Sequence, residues 1–407
     1  MDLESSLDFD NHINSSPDLH CNSTKMQFLP NITTYLNIPQ NNLPDIRILT
    51  WTWNTQSVRL AETNDPEIYR LHRLKTQDGW LFSAELPDFW LEMAQKIRSE
   101  KPTICIFGFQ EDAYPGSYFH SHFLPEACAE LGYQLFKRAK NIGAGKTSYQ
   151  GLVSLNPCLR GLRTSVYILA DQISDFNLKY EPVHYNDSFS YNKGATAIYL
   201  TLPGYYGIED TLAIVNIHLP MNSPSLSAAV QTHDPHVRQD EVFIQDRFLN
   251  AAYRTCVLQA RAHPKFVLFF GDFNYRFSPF VNWSARLTGE QILANLANRP
   301  FLDEFQESMK RSNIYNFEEG VNNMGPQFAP TCKMIKSRIP GDTHISSYSL
   351  GKKDQRVPSY CDRILYNNLA DDPQKKIICE QYDRWDVGIM TKSDHAGVNG
   401  LFVIRYF

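Results

Sequence analysis

The stretch Phe269-Phe-Gly-Asp-Phe-Asn-Tyr-Arg276 carries an apolar run into a carboxylate and an amide, Asp272 and Asn274, two positions apart. In an extended chain that spacing puts both side chains on one face. Other apolar runs end the same way: Phe107-Gly-Phe-Gln-Glu111 stops on Glu111, Val215-Asn-Ile-His-Leu219 carries His218, and Ile48-Leu-Thr-Trp-Thr-Trp-Asn-Thr55 delivers Asn54. Lys392-Ser-Asp-His-Ala396 adds Asp394 and His395. Singly, each has an ordinary reading, since amides at strand ends form turns and a lone buried histidine is usually a hydrogen-bonded core residue. Gathered at one sheet edge, they are costly to bury without a purpose. Phosphate ester hydrolysis uses such a set. Mg²⁺ takes hard oxygen ligands and keeps several waters, so one or two carboxylates with an amide suffice. A second carboxylate can orient and deprotonate the attacking water, while a histidine stabilises charge on the phosphoryl oxygens. The sequence has no cysteine or histidine spacing of the kind a dedicated zinc site requires.

The elements that must position these residues are short apolar strands, expected at Ile46–Trp53, Thr103–Phe109, Gly151–Leu155, Ser165–Leu169, Ala195–Leu202, Leu212–His218, Phe266–Phe270, Arg363–Tyr366 and Gly400–Arg405. Residues 84–99 carry an amphipathic pattern through Leu86, Phe89, Trp90, Met93 and Ile97. Asp234-Pro235 supplies an N-cap and a first-turn proline for a helix running to about Arg261. Strands interspersed with helices predict an α/β layered fold, two sheets face to face with helices outside. Residues 1–44, rich in Asn, Ser, Asp and Pro, read as a poorly ordered arm, and 45–407 as one domain. With 407 residues, 43% of them hydrophobic, the chain can bury a large core. A net charge of -5 argues against a general nucleic-acid binder. The eight cysteines are scattered, as suits free thiols in a reducing compartment, and no apolar run approaches the roughly 20 residues that span a bilayer.

Taken in order, Trp53-Asn54, Gly108-Phe-Gln-Glu111, Asn192-Lys-Gly194, Asn216-Ile-His-Leu219, Gly271-Asp-Phe-Asn-Tyr-Arg276, Pro330-Thr-Cys-Lys333, Pro358-Ser-Tyr-Cys-Asp-Arg-Ile-Leu365 and Ser393-Asp-His395 resemble the motifs of inositol polyphosphate 5-phosphatases. The resemblance runs from about Asp45 to Phe407 and implies the four-layer α/β sandwich of the deoxyribonuclease I and exonuclease III superfamily. Gly-Asp-x-Asn and Ser-Asp-His recur across that superfamily. Pro-Ser-Tyr-Cys-Asp-Arg-Ile-Leu is the specific segment, similar to the family's Pro-Ala-Trp-Cys-Asp-Arg-Ile-Leu.

The resemblance implies Glu111 as the main Mg²⁺ ligand with Asn54 beside it. It makes Asp272 the residue that positions and deprotonates the water, Asn274 the residue that holds Asp272 or the phosphate in place, and His395, oriented by Asp362, a contact to the scissile phosphoryl group that His218 also touches. Asp394 becomes a more distant or alternate metal ligand. Substrate phosphates would be read by Lys193, Arg276, Lys333, Lys352, Lys353, Arg356, Tyr360 and Arg363. The chain departs from the family at Cys332, where a tyrosine is usual, and at Lys352-Lys353-Asp-Gln-Arg356, spaced one residue wider. The expected activity is removal of the 5-phosphate from phosphoinositides or soluble inositol polyphosphates by a cytoplasmic monomer that touches membranes peripherally and binds no nucleic acid. Alternatives are a nuclease or other phosphodiesterase of the superfamily, or a non-catalytic phosphoinositide-binding scaffold. The aromatic stretch from Gly79 to Trp90 is expected to pack in the core, with interfacial insertion as its alternative.

Overall fold

A computed structural model describes residues 45–56, 74–76, 79–81, 87–113, 124–141, 160–186, 193–205, 208–220, 245–277, 294, 303–344, 347–348, 358–369 and 375–406. The expected arm, the strand at Gly151–Leu155 and the cap at Asp234-Pro235 lie outside them, as do Lys352, Lys353 and Arg356.

Two six-stranded mixed sheets dominate the described residues. The first contains β1 (Ile46–Asn54), β4 (Ile104–Ala113), β5 (Tyr133–Asn141), β6 (Arg160–Leu169), β13 (Lys375–Trp385) and β14 (Gly397–Tyr406), in the order β13-β14-β1-β4-β6-β5. The second contains β7 (Asn177–Asn186), β8 (Gly194–Tyr205), β9 (Ile208–His218), β10 (Phe266–Asp272), β11 (Glu318–Glu319) and β12 (Asp362–Asn368), in the order β11-β12-β10-β9-β8-β7. β2 (Leu74–Thr76) and β3 (Gly79–Leu81) pair with each other as a separate two-stranded sheet.

Three apolar clusters divide four layers. Between the sheets lie Ile48, Ile106, Ile168, Ile214, Leu268, Phe270, Ile364 and Phe402. Outside the first sheet, Leu49, Trp51, Trp53 and Phe107 pack against Trp90, Met93 and Ile97 of α1 (Pro87–Glu100) and Leu124 and Cys128 of α2 (Leu124–Glu130). Trp90 therefore sits in the core. Outside the second sheet, Val215, Val267 and Phe269 meet Leu249, Tyr253 and Val257 of a helical stretch over 245–258 and Phe305 of α3 (Glu304–Lys310).

The alternation of strand side chains explains how the polar set is delivered. In β1, Ile46 and Ile48 face the inter-sheet core while Leu49, Trp51 and Trp53 face α1, so the inner face continues through buried Thr50 and Thr52 to Asn54. The same parity carries β9 from Leu212 and Ile214 to Asn216 and His218, and β10 from Phe266, Leu268 and Phe270 to Asp272. Register then aligns these ends: Asn54 pairs with Gln110, and Asp272 pairs with both His218 and Asp362. One end of the inter-sheet layer is thus hydrocarbon and the other polar.

Two glycines let the layers close at that boundary. A Cβ on Gly108 would lie 2.2 Å from Phe270 of the facing sheet. One on Gly271, at φ +140, would lie 1.9 Å from the Ile217 carbonyl oxygen.

Candidate active site

Asp272 is the hub. Its Oδ2 accepts from Asn54 Nδ2 at 2.8 Å and lies 3.2 Å from His218 Nε2, and its Oδ1 accepts from the Asn274 amide N–H at 3.0 Å. Burial raises a carboxyl, but the His218 hydrogen bond and the charge of His395 prevail and hold Asp272 well below the usual range. It is ionised at any working pH.

Close to Asp272, His395 Nδ1 pairs with Asp362 Oδ2 at 2.8 Å. Burial alone would lower the histidine, yet Asp362 and Cys332 push it well above its ordinary value. His218 goes the other way, lowered first by burial and then by the Lys193 charge. One imidazole is held cationic and the other neutral, a division of labour typical of acid–base sites.

Asp272, Asp362 and His395 each present an atom within 4.8 Å of the others. A protonated imidazole cannot ligate a cation, so this trio reads as a charge-paired acceptor and donor set rather than a metal cage.

Glu111 lies one residue beyond Gln110, the register partner of Asn54, and Thr55 Oγ1 donates to the Glu111 carbonyl at 3.0 Å. A β-bulge between Phe109 and Asp112 and a φ of 51 at Glu111 turn its side chain out of the ladder. Its Oε1 sits 3.8 Å from His218 Nε2 and 4.0 Å from Lys193 Nζ. Lys193 Nζ also contacts His218 Nε2 directly. The Glu111 carboxylate and the Asn54 amide, at neighbouring positions of the β1–β4 register, are oxygen donors of the kind a hard divalent cation takes. Glu111 and Asn54 are the residues that would hold it.

Asn274, with φ 54, donates from Nδ2 to the Leu219 carbonyl at 3.0 Å and accepts from Arg276 Nη2 at 2.9 Å. Arg276 is brought beside the site, with its other arm, Nη1, on Cys332 Sγ at 3.4 Å. Lys333 Nζ lies 3.7 Å from Asp394 Oδ2. Asp394 is thereby placed at the rim, its amide N–H on Gln56 Oε1 at 3.4 Å.

Two expected substrate contacts are corrected. Arg363 follows Asp362 in β12 and so points to the opposite face, where its fully buried guanidinium pairs with Asp303 at 2.6 Å and Glu319 at 2.8 Å. Tyr360 is buried edge-on against Phe277 and Phe328, and its hydroxyl donates to the Phe328 carbonyl at 2.7 Å.

The structure gives contacts to residues that the sequence reading left without a role. Trp53 Nε1 donates to the His395 carbonyl at 3.2 Å, and Ser393 Oγ donates to the Asn54 carbonyl at 2.8 Å, tying the histidine loop to the end of β1. Arg338 braces the same loop: it pairs with Asp386 at 2.7 Å and donates to the Ser393 carbonyl at 2.7 Å. Gln110 Nε2 reaches Asn216 Oδ1 at 2.7 Å, a second amide contact between the sheets. The adjacency of Gln110 to Glu111 was the visible signal for that residue, whereas nothing in the sequence marked Arg338.

Two mixed sheets packed face to face under helices, with an amide–carboxylate–histidine cleft at one end, define a four-layer α/β sandwich of the deoxyribonuclease I type. The chain belongs to Endonuclease/Exonuclease/phosphatase family 2, whose model matches residues 51–401. Among curated proteins it is similar to the phosphatidylinositol polyphosphate 5-phosphatase type IV of Mus musculus, 32% identical over 145 residues, or 34% of this chain and 19% of that protein. It is also similar to the type I inositol polyphosphate 5-phosphatase 8 of Arabidopsis thaliana, 26% identical over 216 residues, or 53% of this chain and 39% of that one. These matches span well under half of either relative's length.

Among solved structures, the inositol polyphosphate 5-phosphatase domain of SPsynaptojanin, in complex with inositol (1,4)-bisphosphate and calcium, aligns with a TM-score of 0.51 at 17% identity, covering 89% of this chain and 86% of that one. The ferrous NO complex of Cimex nitrophorin aligns with a TM-score of 0.52 at 15% identity, covering 89% and 99%. Both likenesses establish the fold alone. Function has to be argued from the cleft.

Proposed function

We propose that this chain is a Mg²⁺-dependent phosphomonoesterase that removes the 5-phosphate from phosphoinositides or soluble inositol polyphosphates by direct attack of water. The observation that carries the reading is the opposition of an ionised Asp272, fixed by Asn54, His218 and the Asn274 N–H, to a cationic His395 fixed by Asp362. A phosphoryl group lying between them meets an acceptor for the water's proton on one side and a donor for its own oxygen on the other.

Asp272 orients the water through a lone pair that its bonds to Asn54 and the Asn274 N–H leave over. A carboxylate held so low is a weak base, so it takes the proton late, as the new P–O bond forms. His395 donates to a non-bridging oxygen as charge develops there, and Asp362 keeps the ring in position. Lys193 and neutral His218 line the same oxygen-binding side. Mg²⁺ held by Glu111 and Asn54 would polarise the phosphate and neutralise its charge. No covalent enzyme intermediate is required.

The family resemblance and the printed names of the curated relatives support inositol 5-phosphates as the substrate class. This reading assigns a neighbouring phosphate to Lys333, beside Asp394, and to Arg276, whose guanidinium also holds Asn274. Peripheral contact with a phosphoinositide membrane, a cytoplasmic location and a monomeric state belong to the same proposal. No helix among the described residues is long and apolar enough to cross a membrane.

The test is phosphate release from phosphatidylinositol 4,5-bisphosphate vesicles and from soluble inositol 1,4,5-trisphosphate, with Mg²⁺ and with EDTA. Release that requires Mg²⁺ and disappears in Asp272→Ala supports the reading. Plasmid cleavage without phosphate release from either inositide would replace it with a nuclease.

A further inference from the structure

Cys332 and Cys361 are thiols that the proposed hydrolysis leaves unused, and they meet beside its cationic histidine. Cys332 Sγ accepts from Arg276 Nη1 at 3.4 Å and lies 3.5 Å from His395 Nε2. Cys361 stands two residues beyond Ser359, the bridge partner of Cys332, and its Sγ lies 3.5 Å from the Tyr275 carbonyl oxygen. Backbone bonds hold the two segments together: the amides of Thr331 and Cys332 both donate to the Ser359 carbonyl at 3.1 Å, and Ser359 returns a bond to the Cys332 carbonyl.

The remaining described cysteines stand in other company. Cys105 and Cys128 lie in the apolar layer under α1 and α2, Cys256 lies under the second sheet, and Cys379 lies in the inter-sheet core. Among the described cysteines, Cys332 is where a guanidinium and an imidazole both face the sulfur. Such an environment favours the thiolate, the reactive form. Burial raises the Cys332 thiol, but the Cys361 hydrogen bond and the charges of His395 and Arg276 outweigh it and hold the thiol well below its ordinary range. Cys361 is pushed the other way, first by burial and then by Cys332. The surroundings thus favour the thiolate at Cys332 and the protonated thiol at Cys361.

We propose that Cys332 and Cys361 form a hydroperoxide-sensitive dithiol whose oxidation to a disulfide switches the site off. The Cys332 thiolate attacks one oxygen of hydrogen peroxide. The O–O bond breaks, hydroxide leaves and is protonated to water, and Cys332 becomes a sulfenic acid. The Cys361 sulfur, giving up its proton, then attacks Cys332 Sγ. The S–O bond breaks, a second water leaves and the S–S bond forms. Two thiols lose two electrons to the peroxide, which is reduced to two waters. Cys332 is itself buried, so the switch requires peroxide, little larger than water, to enter beside His395, whose side chain keeps 8% exposure.

The consequence follows from what the sulfurs touch. Closing an S–S bond of about 2.05 Å draws Cys332 from His395 and Arg276. Arg276 holds Asn274, and Cys361 precedes Asp362, the partner of His395. Both sides of the reacting set are disturbed at once.

The bond is tested independently of the activity. The full chain is treated with hydrogen peroxide, residual thiols are capped with N-ethylmaleimide, and the digest is mapped by mass spectrometry with and without dithiothreitol. A linked peptide pair joining Cys332 to Cys361, released by the reductant, is expected. Phosphate release from inositol 1,4,5-trisphosphate should fall in step with that pair and return with dithiothreitol. In Cys361→Ser, prolonged peroxide should carry Cys332 on to the irreversible sulfinic acid, so the recovery of activity with reductant drops roughly tenfold relative to the unmodified chain.

Both thiols still capped after peroxide, or a linkage between any other cysteines in place of this one, would overturn the proposal. So would a Cys332–Cys361 linkage that leaves turnover unchanged. The switch rests on the hydrolase reading for its effect on turnover. A chain that releases no phosphate before oxidation sinks that reading, while the peptide map still decides the dithiol.

Discussion

Asn54 Nδ2 donates to Asp272 Oδ2 at 2.8 Å, so the end of β1 in one sheet grips the end of β10 in the other across 218 residues of sequence. The amide does more than stand near a metal ligand. It orients the acceptor of the attacking water, while its own Oδ1 accepts from the Gln56 amide at 3.0 Å, which fixes the flip of the side chain. Asn54→Ala should lower kcat by roughly 10–100-fold, the usual penalty for removing a group that orients a reacting one. Asp272→Asn should cost more, about 10²–10⁴-fold. Steady-state phosphate release measures both, and an Asn54→Ala enzyme of normal kcat would refute the orienting role.

Arg363 should matter for folding and not for substrate. Its replacement by alanine leaves Asp303 and Glu319 buried without their cation, a loss of about 3–5 kcal/mol for a broken interior pair. Urea unfolding reads that loss. Lys333→Ala, at a partly exposed site beside Asp394, should instead raise KM with little change in stability. A raised KM in Arg363→Ala with an unshifted unfolding curve would restore the substrate contact that its motif suggested.

What the sequence disclosed follows burial. Central strands such as β1, β9 and β10 are sandwiched between two apolar layers, so their runs are unmistakable, and the polar residue at the end of each stands out against them. The missed strands β5, β7 and β13 are edges of their sheets. An edge strand carries charge that discourages further pairing, as in Phe136-Lys-Arg-Ala-Lys140 of β5 and Lys375-Lys376 of β13, and this erases the apolar signal. Arg363 was misjudged because motif adjacency ignores the pleat: Asp362 and Arg363 are neighbours in sequence and opposites in space. The Asn54–Asp272 bond and the brace from Arg338 join distant segments, and no local pattern encodes them.

The ion pair of His395 and Asp362 makes a signed prediction about pH. The histidine is raised in the folded chain, so folding gains protons there. Its stabilising contribution is complete below the unfolded value of about 6.5 and fades as pH rises through the folded value. Burial raises Asp362 as well, to about 7 against the pull of His395, so the comparison removes both groups: between pH 6 and 9 the melting temperature of the wild type should fall more steeply than that of the double variant His395→Gln, Asp362→Asn. Parallel slopes would mean that the pair holds no extra proton in the folded chain.

Gly271 and Gly132 separate conformation from space. Both have φ in the left-handed half of the map, +140 and +86, so alanine is strained at either, by roughly 1–2 kcal/mol. Around Gly132 a new Cβ meets nothing within 4 Å, and that strain is the whole cost. At Gly271 the same atom would lie 1.9 Å from the Ile217 carbonyl oxygen, in the ladder that sets His218 opposite Asp272. Backbone cannot rotate away as a side chain can, so β9 and β10 must part. Gly271→Ala should therefore lose more stability than Gly132→Ala and should also lose activity, because the 3.2 Å approach of His218 to Asp272 opens with the strands. Thermal melts and phosphate release on the two variants decide it: equal melting temperatures would show that the clash is absorbed without moving the strands.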